Sequence, residues 1–127
     1  MKYLIDSSGW VHFLLNGPLI ERYLEYLQKP SQVLTPAIVV YEVYKAVKRN
    51  TNEGLACEAI SALQDTVIVS LDSYLARSAA DISLSHKLSM ADAIVYATAA
   101  KYGARLITSD ADFKDLPAVE YISAEEQ

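Results

Sequence analysis

Several residue types are scarce in this sequence, and each scarcity argues against a class of protein. Its 127 residues include a single cysteine, Cys57, and two histidines, His12 and His86. One cysteine can form neither an internal disulfide nor a cysteine-based metal knuckle, so we interpret Cys57 as an ordinary small helix residue. The histidines lack a neighbouring nucleophile, which argues against a serine or cysteine hydrolase.

Long hydrophobic runs are also missing. No apolar stretch approaches the ~20 residues that a membrane-spanning helix needs. The N-terminus, with Lys2 followed closely by Asp6, does not resemble a secretory signal. Hydrophobic residues nevertheless make up 52% of the chain, which is ample for one core. We therefore expect a single domain over residues 1–127, located in the cytoplasm and not associated with a membrane.

Positive charge is in short supply, with 11 basic against 16 acidic residues and a net charge of -5. Binding of nucleic acid depends on contacts from Lys and Arg to phosphates, so this balance at first argues against it. If four of the 16 acidic residues held divalent cations, however, the rest of the protein would be close to neutral. Net charge therefore does not exclude a nucleic-acid substrate.

Hydrophobic periodicity predicts strands that alternate with helices. Helices of ten or more residues between strands require parallel crossovers, so we predict an α/β fold: a three-layer α/β/α sandwich with a central parallel sheet of about five strands. The predicted strands are 2–6, 32–36, 66–72, 104–110 and 118–123. The predicted helices are 7–15, 19–28, 36–50, 52–64, 72–86 and 89–102, with Gly103 as the stop of the last.

Local signals define several of these elements more closely. Asn-Gly-Pro at 16–18 predicts a turn, and Thr35 is predicted to cap the third helix with Pro36 in its first turn. Two helical faces are predicted to be apolar: Leu19, Tyr23, Leu24 and Leu27 on the second helix, and Leu75, Ala79, Ile82 and Leu84 on the fifth. Most of the nine tyrosines, including Tyr23, Tyr44 and Tyr96, fall at such positions, and we interpret them as packing residues rather than base-stacking ones.

Acidic residues recur where functional groups of such folds gather. Asp6 and Asp110 end predicted strands, and ligands of open parallel sheets bind beyond the carboxyl ends of the strands. Asp92 is the only charged residue between Lys87 and Lys101 and lies among apolar residues. An isolated buried carboxylate is costly, so Asp92 should have a partner.

Each of these acids also has an ordinary structural role open to it. Asp6 can cap the first helix, and Asp110 and Asp112 can be turn residues. Glu42, on the third helix, can pair with Lys45 or Arg49, and Asp92 can complete a capping box with Ser89. Two acids at strand ends and two on helices that reach the same sheet edge would nevertheless meet in one pocket.

Carboxylates crowded in this way would take up protons or bind cations, because their mutual repulsion raises their affinity for both. Oxygen donors, without cysteine or histidine at ligand spacing, favour magnesium or manganese over zinc. The convergence would therefore predict a site for Mg²⁺ or Mn²⁺.

The order and context of these residues resemble the PIN-domain family of metal-dependent ribonucleases, most closely its VapC-like toxins. The resemblance rests on LIDSS, YEVYKAV, SMADAIVYATA and LITSDADF, and it spans nearly the whole chain. It implies roles for seven residues: Asp6, Glu42, Asp92 and Asp110 as the catalytic and metal-binding set, Asp112 as an accessory metal ligand, and Ser7 and Thr108 as supporting hydrogen-bond partners.

The activity implied by the resemblance is hydrolysis of phosphodiester bonds in single-stranded RNA with one or two Mg²⁺ or Mn²⁺ ions, by the toxin of a toxin–antitoxin pair. It also implies an antitoxin partner and a homodimer, for which the apolar second helix offers a candidate surface. Contacts to RNA are predicted for Lys45, Lys48 and Arg49, which follow Glu42, and are open to His86 and Lys87. A solvated helix face is the alternative for each.

Three other functions are considered. The chain could be a PIN-domain nuclease that processes RNA outside any toxin system, or a catalytically silent metal-binding module of the same fold. A phosphatase or phosphotransferase that uses an aspartyl phosphate is disfavoured, because it usually needs a second aspartate two residues after the first, where this chain has Ser8.

Overall fold

The chain folds around one parallel sheet that is flanked by helices. The computed structural model describes residues 1–15, 17 and 19–123, so residues 16 and 18 of the predicted turn lie outside the described part. The strands are β1 (Tyr3–Ile5), β2 (Val33–Pro36), β3 (Val67–Val69), β4 (Arg105–Thr108) and β5 (Val119–Tyr121). The helices are α1 (Ser7–Leu14), α2 (Ile20–Leu24), α3 (Ala37–Asn50), α4 (Glu53–Gln64), α5 (Ser73–His86) and α6 (Met90–Tyr102), with 3-10 turns at Glu25–Gln28, Pro30–Gln32 and Ala111–Phe113.

The order of the strands creates a switch point in the middle of the sheet. The order is β3-β2-β1-β4-β5, and all four pairings are parallel. The chain therefore places β2 and β3 on one side of β1 and then crosses to the other side, where β4 and β5 lie. Ile5 is in register with Ile107, so the residues that follow β1 and β4 lie side by side. This arrangement confirms the predicted α/β/α sandwich, and such switch points are where open sheets bind ligands.

The central strands and α6 form the middle of the core. Leu4, Ile5, Leu106 and Ile107 are completely buried, as expected for strands covered by helices on both faces. Six residues of α6 between Ala93 and Ala99 are buried, which explains the run of small side chains in this helix. In the described residues no helix is both long and apolar enough to cross a membrane.

Most predicted helix ends are confirmed by their caps. Asn52 and Asp72 accept hydrogen bonds from the N–H groups of Leu55 and Leu75 at 2.9 and 2.8 Å. Ser89 accepts one from the N–H of Asp92 at 3.3 Å, as the capping-box pattern predicted. The last helix ends at Gly103, which has a positive φ of 63°.

The predicted start of the third helix is wrong. Thr35 does not cap α3; it is buried in β2, where its hydroxyl shares a 2.6 Å hydrogen bond with that of Thr66. Pro36 keeps an extended backbone and pairs with Val69, so the helix begins only at Ala37. Thr-Pro fits a strand end as well as a helix start, because proline also fits the extended backbone.

Two predicted apolar faces need correction. The second helix ends at Leu24 and continues as a 3-10 turn at Glu25–Gln28, so the helix is shorter than predicted. Leu19 and Tyr23 are buried, whereas Leu24 is 47% exposed. On α5, Leu75 and Ala79 are buried but Leu84 is 83% exposed. At about 100° per residue, Leu84 lies about 180° around the helix from Leu75 and therefore on the opposite face.

Candidate active site

Asp6 lies at the switch point, where it follows β1 and caps α1. Its Oδ1 accepts hydrogen bonds from the Ser8 hydroxyl at 2.7 Å and from the Gly9 N–H at 3.2 Å. Its Oδ2 accepts one from the Thr108 hydroxyl at 2.6 Å. The side chain is only 4% exposed. The carboxylate is therefore fixed from the first turn of α1 and from the end of β4, and the predicted capping role coexists with a place in the cluster.

The segment after β4 brings two more acids to this edge. The Thr108 hydroxyl, besides donating to Asp6, accepts a 2.9 Å hydrogen bond from the N–H of Asp110. Asp110 in turn caps a short 3-10 turn, because its Oδ1 accepts a 2.9 Å hydrogen bond from the N–H of Asp112. This local turn holds the two carboxylates beside each other.

Asp92 completes a compact group of three acids. One carboxylate oxygen from each of Asp92, Asp110 and Asp112 can be chosen so that all three lie within 4.8 Å of one another. Asp92 reaches this position because it occupies the first turn of α6, whose N-terminal end faces the switch point. Neither ion pair found among the described residues, Lys48 with Glu53 or Arg105 with Glu120, involves these acids.

The electrostatics of the acids reflect their burial and their proximity. Burial, and then the charges of Asp110 and Asp112, raise the pKa of Asp92 to about 6. Burial raises the pKa of Asp6 to about 6 as well, although hydrogen bonds from Thr108 and Ser8 oppose the shift. At neutral pH both groups are charged, so the crowded carboxylates favour binding of a cation.

Glu42 faces the same cluster from α3. Burial raises its pKa; the Ser7 hydroxyl opposes this through a hydrogen bond, and the charges of Asp92 and Asp110 add to the increase. Ser7 therefore supports Glu42, whereas its neighbour Ser8 supports Asp6. Glu42 and Asp6 lie outside the group of acids within 4.8 Å but contribute to the same negative field.

The donor set fits a hard divalent cation. Every candidate ligand is a carboxylate oxygen, which is the donor that Mg²⁺ and Mn²⁺ prefer. A bound cation would offset the repulsion that Asp110 and Asp112 add to burial in raising the pKa of Asp92. Asp92, Asp110 and Asp112 would hold such an ion, and the charges of Asp6 and Glu42 would add to its attraction.

A basic cleft of about 640 Å³ opens next to these acids, between α1 and α3. Its lining includes Ser7 and Glu42 on the side of the acids, and Lys45 and Arg49 further along α3. Lys48, which was predicted together with them, does not line the cleft and pairs with Glu53 at 3.3 Å. The exposed Tyr41 also lines it, and its ring centroid lies 5.6 Å from Lys45 Nζ.

His86 and Lys87 lie at the end of α5 and are exposed. The His86 ring makes an edge contact with Tyr96, with centroids 6.0 Å apart. Lys87 adopts a left-handed backbone with φ of 57°, which ends the helix. Both residues therefore have a structural role at this helix end, and neither lines the basic cleft.

Three residues around Asp6 were not identified as site residues from the sequence. Ser8 binds the carboxylate directly, Ser109 donates its N–H to Ser8 Oγ at 3.0 Å, and Tyr23 shares a 2.6 Å hydrogen bond with the Ser109 hydroxyl. Ser8 could have been recognised, because a hydroxyl two residues after a capping aspartate often bonds to it. The contact between Tyr23 and Ser109 spans 86 residues and has no local signal.

Comparison with known proteins agrees with this geometry. A family model described as PIN domain matches residues 3–119. A comparison with curated protein sequences gives no significant match. A solved toxin–antitoxin complex from Klebsiella pneumoniae contains a similar chain with 25% identity and a TM-score of 0.80, and the match covers 95% of this chain and 100% of that one.

Two further solved structures share the fold at lower identity. VapC20 from Mycobacterium tuberculosis, a sarcin-ricin loop cleaving toxin, is 19% identical with a TM-score of 0.76, and the match covers 91% of this chain and 95% of that one. VapBC2 from Rickettsia felis, bound to a DNA fragment from its promoter, contains a chain with 16% identity and a TM-score of 0.75, and the match covers 97% of this chain and 98% of that one. The chain therefore belongs to the PIN-domain family, and VapC toxins are among its structural neighbours.

Proposed function

We propose that this protein is a metal-dependent endoribonuclease that hydrolyses phosphodiester bonds in single-stranded RNA. The observation that carries the proposal is the group of three carboxylates, Asp92, Asp110 and Asp112, within 4.8 Å of one another at the switch point of a PIN-domain sheet. Asp6 and Glu42 extend this group. No other chemistry considered for the chain uses so many uncompensated acids at one place.

In the proposed reaction, acidic side chains would bind the cation and basic side chains would bind the RNA. A bound Mg²⁺ or Mn²⁺ ion would stabilise the charge that develops on the phosphate and help to activate water. Asp92, Asp110, Asp112, Asp6 and Glu42 supply the oxygens that would hold it. The hydroxyls of Thr108, Ser8 and Ser7 keep these carboxylates in place by hydrogen bonds.

Lys45 and Arg49 are proposed to bind the RNA strand beside the acids. They line the cleft that begins at Glu42, so a phosphate bound to them would place the neighbouring nucleotides toward the carboxylates. Lys48 is less suited to this role, because it lies off the cleft and already pairs with Glu53. The surplus of acids over the whole chain does not exclude RNA binding here, since Lys45 and Arg49 both line this cleft.

The experiment that tests the proposal compares one member of the acidic group with an acid outside it. Asp92→Asn keeps the size of the side chain and its place in the helix, and it should abolish cleavage of a single-stranded RNA in Mg²⁺ or Mn²⁺. Asp65→Asn changes an exposed acid at the end of α4 and should cleave like the wild type. EDTA should stop cleavage by the wild type, and added Mn²⁺ should restore it.

Two outcomes would overturn the proposal. If Asp92→Asn cleaved RNA as fast as the wild type, Asp92 would have no part in the reaction. If the purified wild type bound Mn²⁺ but cleaved no RNA, the chain would instead be a silent metal-binding module of the same fold.

We further propose that the nuclease is the toxin of a toxin–antitoxin pair, acts in the cytoplasm, forms a homodimer and is inhibited by a small antitoxin protein. The similarity to a chain of the Klebsiella pneumoniae toxin–antitoxin complex supports this role. Induced expression of the wild type should arrest growth of a bacterial host, and Asp92→Asn should not. Normal growth of a host that contains the active enzyme would instead favour RNA processing outside a toxin system. The dimer is tested separately: a mass of one chain in static light scattering would reject it.

A further inference from the structure

A chain of hydrogen bonds connects Tyr23 to the candidate metal ligand Asp6. The Tyr23 and Ser109 hydroxyls are 2.6 Å apart, and the Ser109 N–H donates to Ser8 Oγ at 3.0 Å. Ser8 then donates its own proton to Asp6 Oδ1 at 2.7 Å. A serine hydroxyl has one proton, so Ser8 can support Asp6 only if it is turned toward that oxygen. The Ser109 N–H favours this orientation because it occupies a lone pair of Ser8.

The ring of Tyr23 supports the second donor to the same oxygen. A Cβ added at Gly9 would lie 2.4 Å from Tyr23 Cε1, so the ring rests directly on the backbone of Gly9. The Gly9 N–H donates to Asp6 Oδ1 at 3.2 Å. Tyr23 therefore supports both groups that donate to Asp6 Oδ1. Its ring packs on Gly9, and its hydroxyl is connected to Ser8 through Ser109.

Packing alone explains the ring of Tyr23 but not its hydroxyl. The residue is fully buried, and phenylalanine would fill the same space without bringing a polar group into the core. Burial also raises the pKa of Tyr23 further above its ordinary value, so the phenol keeps its proton at neutral pH. The hydroxyl is directed at Ser109, which belongs to the segment that carries Asp110.

We propose that Tyr23 is a positioning residue of the nuclease site. Through its contacts with Ser109 and Gly9, and through Ser8, it holds the carboxylate of Asp6 in the orientation needed to bind the divalent cation. The inference rests on the proposed function. It gives α2 a role in the activity, since this short helix carries the tyrosine to the sheet edge.

The test removes only the hydroxyl, with Tyr23→Phe. The Kd for Mn²⁺, measured by isothermal titration calorimetry, should rise roughly tenfold to a hundredfold, as is usual when a partner of a metal ligand is lost. The kcat for RNA cleavage should fall by a similar factor while KM for RNA stays unchanged, because the basic cleft is intact. A residue that acts only in packing would move the melting temperature without this separation of kcat from KM.

A matched control and a second variant keep the test informative. Tyr26→Phe removes a hydroxyl from a half-buried tyrosine that packs on Tyr3 with ring centroids 5.0 Å apart, and it should leave Mn²⁺ binding unchanged. Ser109→Ala removes the other partner of the same hydrogen bond, keeps the N–H that donates to Ser8, and should weaken Mn²⁺ binding as Tyr23→Phe does. The double variant should bind Mn²⁺ no more weakly than either single variant, because both changes remove the same hydrogen bond.

The outcomes separate this inference from the proposed function. If Tyr23→Phe and Ser109→Ala bind Mn²⁺ and cleave RNA like a wild type that is itself active, the positioning role is wrong and the nuclease proposal stands. A Tyr23→Phe protein that does not fold leaves Ser109→Ala to decide. A folded wild type that binds no Mn²⁺ would overturn both proposals.

Discussion

The hydroxyl of Thr108 donates a 2.6 Å hydrogen bond to Asp6 Oδ2, a contact between residues that are 102 positions apart in the sequence. Thr108 is fully buried at the end of β4, and its oxygen also accepts the N–H of Asp110 at 2.9 Å. One small side chain thus fixes two of the candidate ligands relative to each other. Adjacent parallel strands make this possible, because they end at the same edge of the sheet.

Thr108→Val should therefore reduce both stability and activity. Valine has nearly the same shape but can neither donate to Asp6 nor accept from Asp110. Hydrogen bonds to charged groups contribute more than neutral ones, so we expect a loss of about 2 kcal/mol in the free energy of unfolding, measured by urea denaturation. Cleavage of RNA should fall as well, because both carboxylates lose a support.

Thr98→Val is the matched control for this change. Thr98 is also fully buried, but its hydroxyl donates at 2.7 Å to the carbonyl of Ile94 within the same helix. That carbonyl belongs to the regular hydrogen bonding of α6, so it keeps a partner when the hydroxyl is removed. Thr98→Val should leave cleavage unchanged, and equal losses of activity in the two variants would contradict the role of Thr108.

The stability of the metal-free protein should depend on pH between about 4 and 6. The folded-state pKa values of Asp6 and Asp92 are about 6, against an ordinary value of 3.8. In this range the folded state binds more protons than the unfolded state, so the free energy of unfolding falls as pH rises and stays lower above pH 6. Urea denaturation in EDTA at a series of pH values measures this slope.

Asp92→Asn should reduce this slope, because it removes one of the two groups whose pKa is raised to about 6. Asp65→Asn changes an exposed acid and should keep the wild-type slope. At pH 7.5, Mg²⁺ should raise the melting temperature of the wild type by binding only the folded state, and should do so much less for Asp92→Asn. A wild-type stability that is flat across this window would show that burial and mutual repulsion do not raise the pKa of these acids in the folded protein.

The meeting of Asp6, Asp92 and Asp110 at one edge of the sheet was largely predictable, because each of these candidate acids has a local signal. Asp6 and Asp110 follow apolar strands, and Asp92 is the only acid in an apolar helix that begins at a clear cap. The phase of α3 also contains information about the basic residues. At about 100° per residue, Arg49 lies seven positions after Glu42 and returns to the same face, whereas Lys48 falls well away from it.

The remaining features depend on contacts that no local pattern specifies. Thr35 and Pro36 fit a helix start as well as a strand end, and only the pairing of β2 with β3 decides between them. The hydrogen bond between Tyr23 and Ser109 forms only once α2 has folded against the edge of the sheet. Apolar periodicity alone indicated Tyr23 as a packing residue, since it contains no information about where a buried hydroxyl points.

Substitutions of the basic residues on α3 should affect RNA binding only where the residue lines the cleft. Lys45→Gln and Arg49→Gln should raise KM for RNA and each reduce the salt dependence of binding by about one phosphate contact. Lys48→Gln should change neither, because Lys48 does not line the cleft, and loss of its exposed pair with Glu53 should have little effect on stability. Fluorescence anisotropy with a labelled RNA and Asp92→Asn as background measures binding without cleavage. Equal effects at all three positions would contradict a binding path along the cleft.

Gly9→Ala should damage the site through one added methyl group. The new Cβ would lie 2.4 Å from Tyr23 Cε1 and 2.7 Å from Ile5 Cγ2, and both neighbours are fully buried. Overpacking of this kind typically lowers the free energy of unfolding by about 1–3 kcal/mol. Because the N–H of residue 9 donates to Asp6, the displacement should also weaken Mn²⁺ binding in calorimetry.

Gly103→Ala provides the comparison for Gly9→Ala. Gly103 has a positive φ of 63° and no atom within 4 Å of an added Cβ, so alanine there suffers backbone strain of about 1 kcal/mol without a steric clash. It ends α6 at the opposite end of the helix from Asp92, so Mn²⁺ binding should remain at the wild-type level. If both glycine variants lost stability and neither lost affinity for Mn²⁺, the first turn of α1 would matter for folding alone.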